Sequence, residues 1–228
     1  MPVRAVVEQG PKEKKSVAFA LDWPGWSRGA KTADGALTTL ESYRERYRPV
    51  AILAGLGGEF DVAGPLDVVE EQAGTGSTDF WGISYVPCSL ERGPIDQDDL
   101  ERRIALLRAC WAFFDGVAAR VSPEMRKGPR GGGRDRERIV AHTIRTESEF
   151  FARKVGLVIP ERAALTPDGL REYRTSYIEA IRAYDRGEVK RPMRSWTLPF
   201  LLRHSAYHTL DHAWEMEDKD LSAAVPSG

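Results

Sequence analysis

Residues 201–218 read LLRHSAYHTLDHAWEMED, with histidines at 204, 208 and 212 in a stretch free of glycine and proline. Side chains four residues apart on an α-helix project from nearly one face. The spacing predicts a helix carrying a stripe of imidazoles, the commonest metal-ligating side chain. Helix geometry limits that stripe. His204 and His212 are separated by two turns, about 12 Å of rise, whereas a metal–nitrogen bond is only about 2 Å long. One ion can take His204 with His208 or His208 with His212, and spacing leaves both pairs open. The one remaining histidine is His142, in IVAHTIRTESEF. Two histidines on one helix and one on another would make an open three-histidine site. The plainer alternative is that histidines decorate a solvated helix face, and it weighs most on His142 taken alone.

Working outward, the second half of the chain reads as four long helices. Asp96 can cap the first, in which Leu100, Ile104, Leu107, Trp111, Phe114 and Val117 follow helical spacing to about Val121. A second is expected from about Arg134 to Val155, with Ile139, His142, Thr146, Glu149 and Phe150 along one broad face and Gly156 as its stop. The third opens at Thr166-Pro167, a cap followed by proline at the first helical position, and runs to about Arg186. Tyr173, Tyr177, Ile181 and Tyr184 form its apolar stripe. The fourth starts near Thr197 and Pro199 and carries the histidines to about Lys219. Four such helices can bury a common core as a bundle, the place where bundles build metal sites.

The first half reads differently. VRAVVEQ and SVAFALD alternate as strands do and are separated by a polar turn, as in a hairpin. DWPGWSRGAKT reads as a loop, after which Thr32 can cap a helix to about Arg48, with Ala36, Leu37, Leu40 and Tyr43 on its apolar side. The apolar stretches EFDVAG and LDVVEEQ can complete a small antiparallel sheet. The expected architecture is an α+β domain over residues 1–90, one helix on that sheet, followed by an all-α four-helix bundle over residues 96–220.

Composition narrows the classes of function. The 228 residues carry 33 basic and 34 acidic side chains, a formal charge of −1, so no basic surplus points to nucleic acid. A local run, Arg126, Lys127, Arg130, Arg134, Arg136 and Arg138 around GPRGGGR, lacks the lysine and hydroxyl ending of a phosphate-binding loop. It reads as a solvated interhelical loop, and a nucleic-acid partner is disfavoured. No signal peptide or membrane span is legible, so a cytoplasmic protein without a membrane partner is the expectation. Cys88 and Cys110 form no C-x-x-C pair and read as reduced thiols, Cys110 in the apolar run ALLRACWAFF as a buried packing residue.

The histidine pattern resembles the DinB-like, or YfiT-like, superfamily of metal-binding four-helix bundles, which carry one histidine on the second helix and two on the fourth. The matching residues are His142 in IVAHTIRTESEF and His208 with His212 in AYHTLDHAWEME, within residues 96–220. The resemblance implies His142, His208 and His212 as ligands of a divalent metal, zinc or nickel, and leaves His204 outside the coordination sphere. It implies a thiol-dependent transferase or isomerase that joins a low-molecular-weight thiol to a small electrophile. FALDWPGWSRGAKTADGAL resembles the HicB-like α+β fold through Asp22, Pro24, Gly25 and Thr32, although Gly35 stands where that pattern has a glutamate. The competing expectation is a non-catalytic protein whose HicB-like domain recognises a partner while the bundle serves as scaffold. A homodimer is compatible with either reading.

An open three-histidine metal leaves a position for water or substrate. There it can lower the pKa of a thiol or polarise a carbonyl. Glu149, Asp211 and Glu215 are the carboxylates placed to orient an imidazole or handle a proton. Carboxylates also commonly cover helix surfaces with no such role.

Overall fold

The computed structural model describes residues 1–128, 132–189, 193 and 195–222. It is an α+β protein, with a small four-stranded sheet near the N-terminus and a helical region after it. By contact the chain groups into two compact units, Met1–Trp111 with Arg194–Tyr207, and Ala112–Met193 with His208–Gly228. This grouping differs from a division along the chain at residues 90–96, because it falls inside two long helices.

In the first unit, β1 (Val3–Gln9) and β2 (Ser16–Ala20) form the expected antiparallel hairpin, and β3 (Ser27–Ala30) extends it on one side. On the other side β4 (Leu66–Ala73) pairs parallel to β1, giving the order β3-β2-β1-β4. The sheet is therefore mixed, which corrects the antiparallel expectation. A parallel partner requires a crossover, here supplied by helices, and no local turn signal announces it. The stretch SRGA, read above as loop, is strand β3.

The crossover holds α1 (Ala33–Ser42), α2 (Arg44–Leu53) and α3 (Gly57–Asp61). Thr32 caps α1 as expected, its Oγ1 accepting from Gly35 N at 3.1 Å, and Ala36 and Leu40 are buried. The single helix expected to Arg48 instead breaks at Tyr43, and the EFDVAG stretch begins inside α3 rather than in a strand. Aromatic packing explains this: Trp23, Trp26, Tyr47 and Phe60 form one ring cluster, in which Trp26 stacks on Tyr47 at 5.7 Å. Phe60 is drawn inward as a helical residue, while Trp26 Nε1 donates to Leu40 O at 2.7 Å and satisfies its buried polar atom. A further short helix, α4 (Gly76–Trp81), follows β4.

The long helices follow the sequence closely. α5 (Gln97–Arg120) begins at Asp96, whose Oδ1 accepts from Asp99 N at 2.8 Å. Its six predicted apolar positions, Leu100, Ile104, Leu107, Trp111, Phe114 and Val117, are all buried, as is Cys110. α7 (Pro167–Asp185) is capped by Thr166 and buries Tyr173, Tyr177 and Ile181, whereas Tyr184 is half-buried. α8 spans Leu198–Lys219. In the second unit Phe114, Val117, Val121, Met125, Ile139, Ala213 and Met216 share one core cluster, so α6 (Arg136–Thr146) and the C-terminal half of α8 are fastened together. No helix of the described residues is long and apolar enough to cross a membrane.

The expected second long helix is shorter than its periodicity suggests. After α6 the backbone passes through a π-helical segment, Glu147–Phe151, and a 3₁₀ turn, Ala152–Val155. Gly156 then ends it at φ 82°, a left-handed conformation that favours glycine. A π segment inserts one extra residue into the helical repeat and re-aims the side chains beyond it. Phe151 is thereby buried with its ring edge-on to His208, the centroids 5.5 Å apart.

Candidate metal centre

Three of the four histidines converge. His142 on α6 and His208 and His212 on α8 each offer a ring nitrogen, and these atoms all lie within 4.8 Å of one another. Ring centroids are 4.7 Å apart for His208 and His212, 5.0 Å for His142 and His212, and 5.5 Å for His142 and His208. Two donors on a shared tetrahedral ion lie about 3.3 Å apart, as bonds of about 2 Å require. Small ring rotations bridge the difference, so the donor set fits a divalent ion. Among the described residues this group contains no carboxylate, which makes it a nitrogen-only set.

The stripe continues to His204, which serves a different environment. Eight residues along an α-helix turn the side chain about 80° away from its starting direction. His204 is buried, stacked on Phe200 at 5.4 Å and edge-on to Tyr85 and Trp196 at 5.1 and 5.2 Å. Burial, with Arg203 beside it, pushes its pKa down to about 3. It is a neutral core imidazole.

The three clustered rings differ in exposure. His212 is buried, His208 half-buried and His142 open to solvent on one side. Lost hydration, followed by the nearby charges of His212 and Arg134, brings the His142 pKa down to about 4, so its ring is neutral near pH 7. His212 Nδ1 lies 2.7 Å from Glu215 Oε2. A carboxylate in that position fixes the proton on Nδ1 and leaves Nε2 with its lone pair for coordination. Glu215 is itself held, with Oε1 accepting from Lys219 Nζ at 2.6 Å and Oε2 facing an Arg134 nitrogen at 3.4 Å. The His212 bond foremost, with help from Lys219, lowers the Glu215 carboxyl to about 2.

The other two carboxylates named from the sequence are placed differently. Glu149 lies in the π segment and is bound by Arg145 through two bonds of 3.1 and 3.2 Å, with Arg162 N donating at 3.4 Å. Arg145 holds its carboxyl below the usual range. Asp211 is half-buried, next to His212 in sequence but outside the set of converging ligand atoms. Of the three, Glu215 bonds a histidine of the set, His212. Its spacing from His212, three residues on one helix, is legible in the sequence, but the Arg134 contact across 81 positions is not.

Beside His142 opens a groove of 810 Å³ lined by Arg138, Ala141, His142, Arg145, Thr146, Glu149 and Phe150. The basic run leading into α6 is largely consumed by structure. Arg126 donates to Asp218 O, Lys127 pairs with Asp135, Arg134 faces Glu215, and Arg136 donates to Val121 O at 3.0 Å. Arg130 lies outside the described residues. Both cysteines are free and buried, and burial raises the Cys88 thiol to about 12, far from a reactive thiolate.

Comparison of the chain with protein-family models, with curated proteins and with solved structures returned no match.

Proposed function

We propose that this protein binds one divalent metal ion, zinc or nickel, through His142, His208 and His212, and that the centre acts on small molecules as a thiol-transferase. The observation that carries the reading is the approach of three imidazole nitrogens from two helices to within 4.8 Å. The order of α5 to α8, with one of the converging histidines on the second and two on the fourth, supports a DinB-like four-helix bundle over residues 96–220. Residues 1–90 supply the HicB-like part.

Bound metal would supply Lewis acidity at an open coordination position, lowering the pKa of a thiol or polarising a carbonyl. The chain's own residues do the remaining work. Glu215 holds the Nδ1 proton of His212 and sets the ring's orientation. Phe151 closes the His208 side with an apolar edge. The groove at His142 admits the reactants, and neither buried cysteine is needed, since the nucleophilic sulfur arrives with the cosubstrate.

The test is metal analysis of the purified protein beside a His208→Ala, His212→Ala double variant. About one ion per chain is expected in the parent and none in the variant; equal, negligible metal in both removes the foundation of the reading. Consumption of a small thiol by a model electrophile such as monobromobimane should then be accelerated by the loaded parent alone.

A further inference from the structure

The basic residues before and within α6 are unequal in one respect. Arg126, Lys127, Arg134 and Arg136 are each spent on a named carboxylate or carbonyl. Arg145, one turn beyond His142, is neutralised by two bonds to Glu149, with Glu161 at 3.7 Å. Arg138 donates its backbone N–H to Asp135 O at 3.0 Å, but its guanidinium has no ion pair or hydrogen bond among the described residues, is exposed, and lines the same groove as His142. With Arg145 and Glu149 cancelling, the charge left in the groove is the Arg138 guanidinium, whose nearest counter-charge, Asp135, is bonded to Lys127 instead. That charge lies four residues before His142 on a continuous helix, about 6 Å along the axis and on the same face.

We infer that Arg138 anchors a carboxylate of the substrate while another atom of the same molecule occupies the metal held by the three histidines. The inference rests on the metal-binding reading above and adds to it a substrate class: small molecules bearing a carboxylate a few bonds from the reacting group. Physical chemistry favours this ligand for this residue. A guanidinium offers paired N–H donors that match a carboxylate's two oxygens, and an arginine without an internal partner keeps them available. Imidazole donors bring no negative charge of their own to compete with a carboxylate. The apolar wall at Ala141 and Phe150 suits a short carbon chain between the two anchored ends.

The experiment uses the full chain loaded with Co²⁺, whose visible spectrum reports both metal occupancy and ligand entry. The probes are two hydroxamates of equal length, succinic acid monohydroxamate and its primary amide. A hydroxamate ligates an open divalent centre whatever the natural substrate is, and the two differ only in the carboxylate. The parent should bind the acid roughly three- to tenfold more tightly than the amide, by one partly exposed bidentate ion pair, and the gap should narrow in high salt. Arg138→Gln should bring the ratio close to one with cobalt content unchanged, and Arg138→Lys should keep part of the preference. Equal affinity for both probes in the parent overturns the inference. So does a preference that survives Arg138→Gln, one abolished only by Arg145→Gln, or a cobalt-loaded parent that admits neither probe. A parent that takes up no cobalt overturns the metal reading, and the inference with it, so the two failures are told apart by metal content.

Discussion

Replacing Glu215 with glutamine changes one atom of the side chain and tests the second layer of the centre. In the parent, Glu215 Oε2 receives the His212 Nδ1 proton at 2.7 Å, and Oε1 receives Lys219 Nζ at 2.6 Å. The carboxyl, held near 2, is ionised across the neutral range. Glutamine keeps the shape but offers one acceptor atom where the carboxylate offers two. If that oxygen turns to Lys219, the amide nitrogen faces His212, Nδ1 must become the acceptor, and the proton moves to Nε2, where it blocks coordination. The substitution also leaves Lys219 and Arg134 without their shared counter-charge, and two uncompensated cations near the centre oppose a third. Loss of a carboxylate that orients a ligating histidine costs about 10- to 100-fold in metal affinity, or about 1.4–2.7 kcal/mol. The released cations place the expectation toward the upper end. Zinc competition against a chromophoric chelator at neutral pH measures it, with circular dichroism to establish that the helices are intact. Glu149→Gln is the control, because Glu149 is bonded to Arg145 rather than to any of the three histidines: it frees one cation near His142 but displaces no ring proton, and should cost clearly less affinity than Glu215→Gln. A Glu215→Gln protein that folds normally and binds zinc within twofold of the parent refutes the orienting role.

Two further expectations concern the first unit, where Arg203 donates to buried Glu91 at 2.6 and 2.9 Å. Arg203→Met strands a carboxylate in the interior and should lower the unfolding free energy by about 3–5 kcal/mol, whereas Arg203→Met with Glu91→Leu should recover most of that loss; denaturant midpoints decide, and a double variant no better than the single one rules the explanation out. The same pair sets an acid limit. Burial alone would raise the Glu91 carboxyl, but Arg203 and the Cys88 N–H outweigh it and the folded-state pKa is lowered. Its contribution is therefore complete above the unfolded carboxylate value of about 4.3 and is lost as pH falls through the lower folded value. The double variant should show a shallower decline of stability over that acid range, and parallel curves would contradict the assignment.

How much was legible depended on the range of the interaction that decides each element. Asp96, Thr166 and Pro167 announce helix starts through groups within three residues, and α5 and α7 begin where those signals fall. The β1–β2 hairpin is likewise a local event. The parallel seat of β4 against β1 is not, since Val3 meets Leu66 across a long crossover whose course the ring cluster around Trp26 and Tyr47 directs. Nor does the π segment carry a sequence mark: Glu147, Ser148 and Phe151 continue an ordinary helical pattern, and only their burial shows how the extra residue is accommodated.

The histidine spacing by itself determined that α8 would be a helix with a stripe of imidazoles, and that one ion could use only a neighbouring pair of them. Which pair comes together with His142 was a tertiary decision. Turning about 80° over eight residues, the helix surface carries His204 into the rings of Tyr85, Trp196 and Phe200, while His208 and His212 face His142. A stripe is a property of one helix, whereas a centre needs the second helix whose position the packing of Phe114, Ile139, Ala213 and Met216 sets.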